Sequence, residues 1–189
     1  MKPKRVSYAA AAVTALALAF SPAFAELPAR FNQQAWVDRA QPLIAAANDT
    51  TDDPDAYIDG LKSACDGING DMMGVHGPND IVMQQMGFCM AVNDLDKAWK
   101  ALQSGKIRGG SQAYCGDLNQ GIRSAQNMPN TPEYALIYPT SQQLLAAALK
   151  IKSAKFVVTG HDRRALWLSN ANDTVEIDGG VKSRVMTCT

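Results

Sequence analysis

Four cysteines, Cys65, Cys89, Cys115 and Cys188, limit what this 189-residue chain can become more than any other feature. An even set of thiols in an exported chain reads as two disulfides, and each bridge holds two chain positions within about 6 Å of one another. No CxxC spacing occurs, which disfavours thioredoxin-like redox chemistry, zinc ribbons and c-type haem attachment.

The disulfide reading depends on compartment, and the start of the chain bears on it. Residues 1–25 carry Lys2, Lys4 and Arg5, then an apolar run, then Ala23-Phe24-Ala25 ahead of Glu26. That order is what a cleavable secretory signal requires, and cleavage is expected after Ala25, with an uncleaved anchor as the alternative. No cysteine follows the apolar run, so a lipoprotein is not expected, and no later segment is long and apolar enough to span a bilayer. A periplasmic or secreted chain is the expectation.

Eighteen basic and eighteen acidic residues balance over the whole chain, but the signal holds three of the basic ones and no acid. The mature part is therefore 15 against 18, a net charge of −3. That balance speaks against nonspecific nucleic-acid or anionic-membrane binding, which calls for a clustered basic face. The 164 residues after Ala25 are enough for one domain with a real core.

Apolar periodicity predicts helices through most of this length. Trp36, Val37, Ala40, Ile44 and Ala47 share a face, with Pro42 expected to kink or break their helix. Asp53 and Pro54 read as the cap and first residue of a helix with Tyr57, Leu61, Cys65 and Ile68 on one stripe, which Gly67 and Gly70 then end. The aspartates just before it imitate a calcium loop, but Pro54 stands where that loop needs glycine and no closing glutamate follows. A longer helix is predicted over 79–102 with Val82, Met86, Cys89, Met90, Ala98, Trp99 and Leu102 inward, and another carries Tyr114, Cys115, Leu118 and Ile122. Thr131 caps a helical turn at Pro132, Tyr138-Pro139 interrupts it, and Thr140 with Gln143 has capping-box spacing for a last helix to Lys150.

After Ser153 the texture becomes short and β-branched: KFVVTG, ALWLSN, DTVEID and VKSRVMTC, with a hairpin signal at 178–180. The expected fold is mainly α: a disulfide-stapled bundle of five to six helices with a small C-terminal antiparallel sheet. Residues 1–25 are the signal, 26–152 the bundle and 153–189 a sheet packed on it, one domain in all.

Residues 72–90, MMGVHGPNDIVMQQMGFCM, concentrate five methionines, a histidine and a cysteine. Thioethers and imidazole bind Cu(I), so Met72, Met73 and His76 form a candidate copper loop. Met83, Met86 and Met90 recur at helical steps, which favours core or interface filling by a flexible side chain. No resident cofactor is expected. His161-Asp162-Arg163-Arg164 is the other polar cluster; a solvated turn accounts for it better than acid–base or phosphate chemistry, since no GxSxG, HExxH or P-loop accompanies it.

An antiparallel hairpin of helices 54–69 and 79–102 sets Cys65 beside Cys89, and Cys115 then staples the sheet through Cys188. The first bridge closes a loop of about 25 residues. Sequence alone leaves three connectivities open, and peptide mapping that links Cys89 to Cys115 or Cys188 decides against this one.

The first cysteine, Phe88-Cys89 two dozen residues on, Cys115 another two dozen on, Pro132-Glu133-Tyr134 and LLAAAL at 144–149 together resemble the Rap/Tai family. These are small helical periplasmic immunity proteins that neutralise cell-wall amidases delivered by type VI secretion. The likeness covers roughly residues 57–150; the chain departs from it at Met90, Ala91, Gly116 and Asp117 and in the late position of Cys188. The resemblance implies a noncatalytic protein, dimeric in the family manner, with a protein partner such as a cell-wall hydrolase. By that analogy the loop from Gly70 to Asp80, with Met72, Met73, Val75, His76, Asn79 and Asp80, is the candidate binding segment.

Overall fold

The starts of the first two helices follow from local side-chain chemistry. Asn32 Oδ1 accepts from the Ala35 N–H at 3.0 Å and opens α1 (Gln33–Asn48). Asp53 Oδ1 accepts from the N–H groups of Asp55 and Ala56 at 3.0 and 3.3 Å, with Pro54 as the first residue of α2 (Pro54–Met72). The longest helix, α3 (Asn79–Gln103), is followed by α4 (Ala113–Asn127), a 3₁₀ turn at Pro132–Tyr134 and α5 (Tyr138–Ser153). Three strands follow, β1 (Lys155–Val158), β2 (Ala165–Leu168) and β3 (Arg184–Thr187). The computed structural model describes residues 31–49, 53–72, 77–106, 113–158, 165–168 and 184–188.

Three expectations about helix ends are corrected. Of the kink or break expected at Pro42, the break does not occur, and helix α1 runs through it. Pro42 and Asp38 both lie on the exposed side, so the carbonyl that loses its helical donor is on the solvent face, while Leu43 and Ile44 stay buried. Helix α2 continues past Gly67 and Gly70 to Met72. Helix α5 starts at Tyr138 rather than Thr140, because Pro139 in the first turn needs no intrahelical donor; Ile137 holds the capping place and no capping box forms.

Helix α3 is the hub. It packs against α2, α4 and the sheet, and its contact with α4 is the most extensive in the fold. The close approach has a cause in two glycines: a Cβ on Gly87 would stand 2.9 Å from the Asp117 carbonyl oxygen and from the Gly121 nitrogen, and one on Gly121 would stand 3.1 Å from the Gln84 carbonyl oxygen. Only hydrogen at both positions lets the two backbones touch. Trp36, Tyr57, Phe88, Trp99, Tyr114 and Phe156 fill the core at 2% exposure or less.

In the sheet β1 is central, antiparallel to β2 on one side and to β3 on the other. Phe156 pairs across to Met186, both fully buried, and its ring meets Trp99 at 6.1 Å between centroids and a 55° tilt. The Trp99 Nε1 donates to Asp55 at 2.6 Å, so one tryptophan links the start of α2, the end of α3 and the sheet. The strand expected over 173–178 and its turn at 178–180 lie outside the described residues.

Both predicted disulfides form. Cys65 and Cys89 join α2 to α3 with Cα atoms 5.5 Å apart, and Cys115 and Cys188 join α4 to the residue after β3 at 5.6 Å. Closing loops of 24 and 73 residues' separation restricts the unfolded chain by about 3.5 and about 4.5 kcal/mol on the chain-entropy argument.

Candidate functional site

The methionines of α3 are not core. Met86 is 39% and Met90 49% exposed, which overturns the expectation that both face inward. The core stripe of this helix is Ile81, Phe88, Val92, Leu95, Trp99 and Leu102, with Cys89 beside it. On a helix advancing 100° per residue, Met83, Met86 and Met90 fall on the opposite side. Met83 is partly exposed, so three thioethers lie along the outer face.

The exposed positions of this helix are Asn79, Met86, Met90, Lys97 and Lys100. Asp80 and Asp94 are only part-exposed and fall on the flank where Gly87 meets α4. The Lys97 Nζ sits 2.8 Å from Asp94 Oδ1. Across the α3–α4 contact Asp117 lies near Asp94; burial and then the neighbouring Asp94 hold its carboxyl above the usual carboxylate range.

Rigid parts carry this face. The Cys65–Cys89 bridge pins α3 to α2 within the methionine segment, and Gly87 seats the helix on α4. At the start of α3 the Phe31 ring fits against Gly77, where a Cβ would stand 2.7 Å from a ring carbon. Farther along, Asp96, only 7% exposed, accepts from Lys62 of α2 at 3.2 Å and from Lys100 at 2.8 Å.

The residues predicted as a binding loop divide. Met72 is the last residue of α2 rather than part of the loop, because that helix outruns its glycines. Met73, Val75 and His76 lie outside the described residues, as do His161, Asp162, Arg163 and Arg164. Asn79 and Asp80 open α3. Cys65, Cys89, Cys115 and Cys188 are all bridged, so Cys89 has no thiolate to offer a metal or a substrate. Among the described residues no group of three His, Cys, Asp or Glu side chains converges.

No family model matches the chain. No curated protein matches it either, and no solved structure does. The site must be read from its own chemistry. Two of its features escape a periodicity reading: the Asp94–Asp117 contact, which joins two helices, and the outward turn of the methionines. One signal was available for the second. Between Lys62 and Lys97 the sequence has no Lys or Arg but five aspartates, Asp66, Asp71, Asp80, Asp94 and Asp96, so the methionine segment lies within a stretch of one charge sign.

Other features carry less. A crevice lined by Gln84, Phe88, Leu118, Gly121, Leu144, Leu145 and Ala148 is too narrow to hold a water molecule. Tyr114 is fully buried with its hydroxyl unpartnered, and burial pushes its ionisation far above the ordinary phenol range. A phenol so placed is no base at neutral pH. No described helix is long and apolar enough to cross a membrane.

Proposed function

We propose that this chain is a noncatalytic periplasmic or secreted protein that acts by binding another protein, in the manner of an inhibitor or immunity protein of an envelope enzyme. The observation that carries this reading is the row of exposed methionines on a helix held by a disulfide. Thioether side chains adapt to varied apolar partners, and methionine-lined helices serve as recognition surfaces for that reason. Holding the helix in place beforehand lowers the ordering cost of association.

Two bridges with largely buried sulfurs fit an oxidising compartment, in agreement with the secretory signal expected over residues 1–25. The spacing of Cys65, Cys89 and Cys115 on the helical bundle agrees with the Rap/Tai likeness, and a cell-wall hydrolase is the partner that likeness suggests.

Affinity capture from envelope extract with the oxidised protein, followed by titration of the purified partner, tests the reading. A stoichiometric complex is expected. Extracts containing the hydrolases encoded beside this chain and yielding no complex would overturn it.

A further inference from the structure

We infer that Met86 and Met90 form an oxidation site: a hydroperoxide converts both thioethers to sulfoxides ahead of the buried methionines, and this stretch of α3 turns from apolar to polar while the fold stays intact. The inference goes beyond the protein-binding reading and needs no occupant on this face.

Exposure selects the sulfurs. Among the methionines whose side chains are described, Met86 and Met90 are 39% and 49% exposed, Met83 is part-exposed, and Met128 and Met186 are 5% and 0% exposed. Attack on a thioether follows access, so the first two react first and the last two are sealed in the core. No thiol competes for the oxidant, because Cys65, Cys89, Cys115 and Cys188 are all bridged. The other exposed positions of α3, Asn79, Lys97 and Lys100, offer an amide and two protonated amines, which are poor nucleophiles at neutral pH.

The step is a two-electron oxygen transfer. The sulfur lone pair attacks the terminal oxygen of ROOH, the O–O bond breaks and an S–O bond forms. The departing alkoxide takes the hydroperoxide proton and leaves as ROH. Sulfur is oxidised by two electrons and the peroxide is reduced by two. Each event replaces a flexible apolar side chain with a polar one that methionine sulfoxide reductases recognise. Met86 and Met90 are four positions apart, so both new dipoles lie on one turn of the helix.

The helix tolerates this change. Neither side chain belongs to the core cluster, and the Cys65–Cys89 bridge ties α3 to α2 one residue before Met90. The Gly87 approach to α4 involves backbone, which oxidation leaves alone. A sulfoxide at Met128 or Met186 would instead place a polar group in the core.

The test exposes the disulfide-bonded protein to hydrogen peroxide, natively and in urea, and follows each methionine by peptide mass mapping with fragment spectra. In the native protein Met86 and Met90 are expected to oxidise at least about tenfold faster than Met128 and Met186, with Met83 between them. In urea the rates are expected to converge. Met86→Leu with Met90→Leu is expected to remove the fast phase. After oxidation at Met86 and Met90 the native protein is expected to keep its circular dichroism and cooperative thermal transition, and to elute earlier from a hydrophobic-interaction column.

Native rates at Met128 or Met186 equal to those at Met86 and Met90 would overturn the inference. So would the same rate order in urea, which would place the selectivity in local sequence rather than in the fold. Loss of the thermal transition after oxidation at these two positions, or unchanged column retention, would overturn it as well. Capture of an envelope partner bears on none of these readouts, so the protein-binding reading stands or falls separately.

Discussion

Gln84 and Ser141 hold each other through two hydrogen bonds of 2.8 Å: Gln84 Nε2 donates to the Ser141 carbonyl oxygen, and Ser141 Oγ donates to Gln84 Oε1. Both residues are at 2% exposure or less, so this pair is a buried polar clasp between α3 and α5. Truncating one partner leaves the other's polar group buried without its mate. Gln84→Ala and Ser141→Ala should each destabilise the protein by about 1–3 kcal/mol, Gln84→Ala the more because it breaks both bonds and leaves a void. Urea unfolding of the singles and the double mutant measures the coupling. Strictly additive losses would show that the two side chains do not act together.

Gly87 is expected to be intolerant of a change that ordinarily strengthens helices. Alanine is better than glycine in a helix interior by about 1 kcal/mol. Here the added methyl meets the backbone of Asp117 and Gly121 at 2.9 Å, and backbone cannot rotate away as a side chain can. Gly87→Ala should therefore cost about 1–3 kcal/mol net through forced separation of α3 and α4. Gly67→Ala, with no atom within 4 Å of its Cβ position, should be neutral or stabilising. Paired thermal melts check both, and a stabilised Gly87→Ala would refute the account of the crossing.

How much of this could be read from the letters depends on whether one residue or a choice between faces had to be decided. The Cys65–Cys89 pairing was legible because two amphipathic helices joined by a loop place those positions together whatever the core details are. The methionine assignment failed on α3 because this helix carries two apolar stripes, one through Ile81, Phe88, Val92 and Trp99 and another through Met83, Met86 and Met90, and periodicity does not say which is buried. The burial of Gln84 follows from its mate Ser141 on another helix, which periodicity along α3 does not see; Gln85 is buried as well, with its Nε2 unpartnered. Pro42 was read as a kink or a break and Pro139 as an interruption; neither ends a helix, because an exposed turn and a first turn both accommodate proline.

Two carboxylates should tilt stability in opposite directions with pH. Asp117 is raised, first by burial and then by Asp94, while Lys97 nearby opposes the shift. A raised folded value means the contribution is present below the unfolded carboxylate value of about 3.9 and is lost as pH rises through the folded value. Asp117→Asn should then stabilise the protein near neutral pH and change little in acid. Asp96 differs: burial alone would raise it, but hydrogen bonds from Lys100 and Lys62 prevail and lower it. Its contribution is present above the unfolded value and lost as pH falls through the folded one, so Asp96→Asn should destabilise at neutral pH and converge with wild type in acid. Denaturation midpoints across the acidic range decide both signs.

The two disulfides should open in order when a dithiol reductant is added to the native protein. Thiol–disulfide exchange needs a thiolate to reach one sulfur in line with the bond. Cys65 and Cys89 are 0% and 2% exposed, whereas Cys188 is only partly buried beside its 4% exposed partner Cys115. Attack on the Cys188 sulfur is therefore the accessible first step, and it releases the tether that holds β3 to α4 while the α2–α3 staple stays intact. Alkylation and mass mapping at rising reductant should label Cys115 and Cys188 before Cys65 and Cys89. Replacing Cys115 and Cys188 by alanine should cost about 2–5 kcal/mol, with weakened β1–β3 pairing seen as faster exchange of the amides that bond across Lys155–Val158 and Arg184–Thr187. The exposed methionine face of α3 should be unaltered in that variant, because Cys65–Cys89 and the Gly87–Gly121 crossing still hold the helix. Earlier labelling of Cys65 would show that accessibility in the folded state does not set the order.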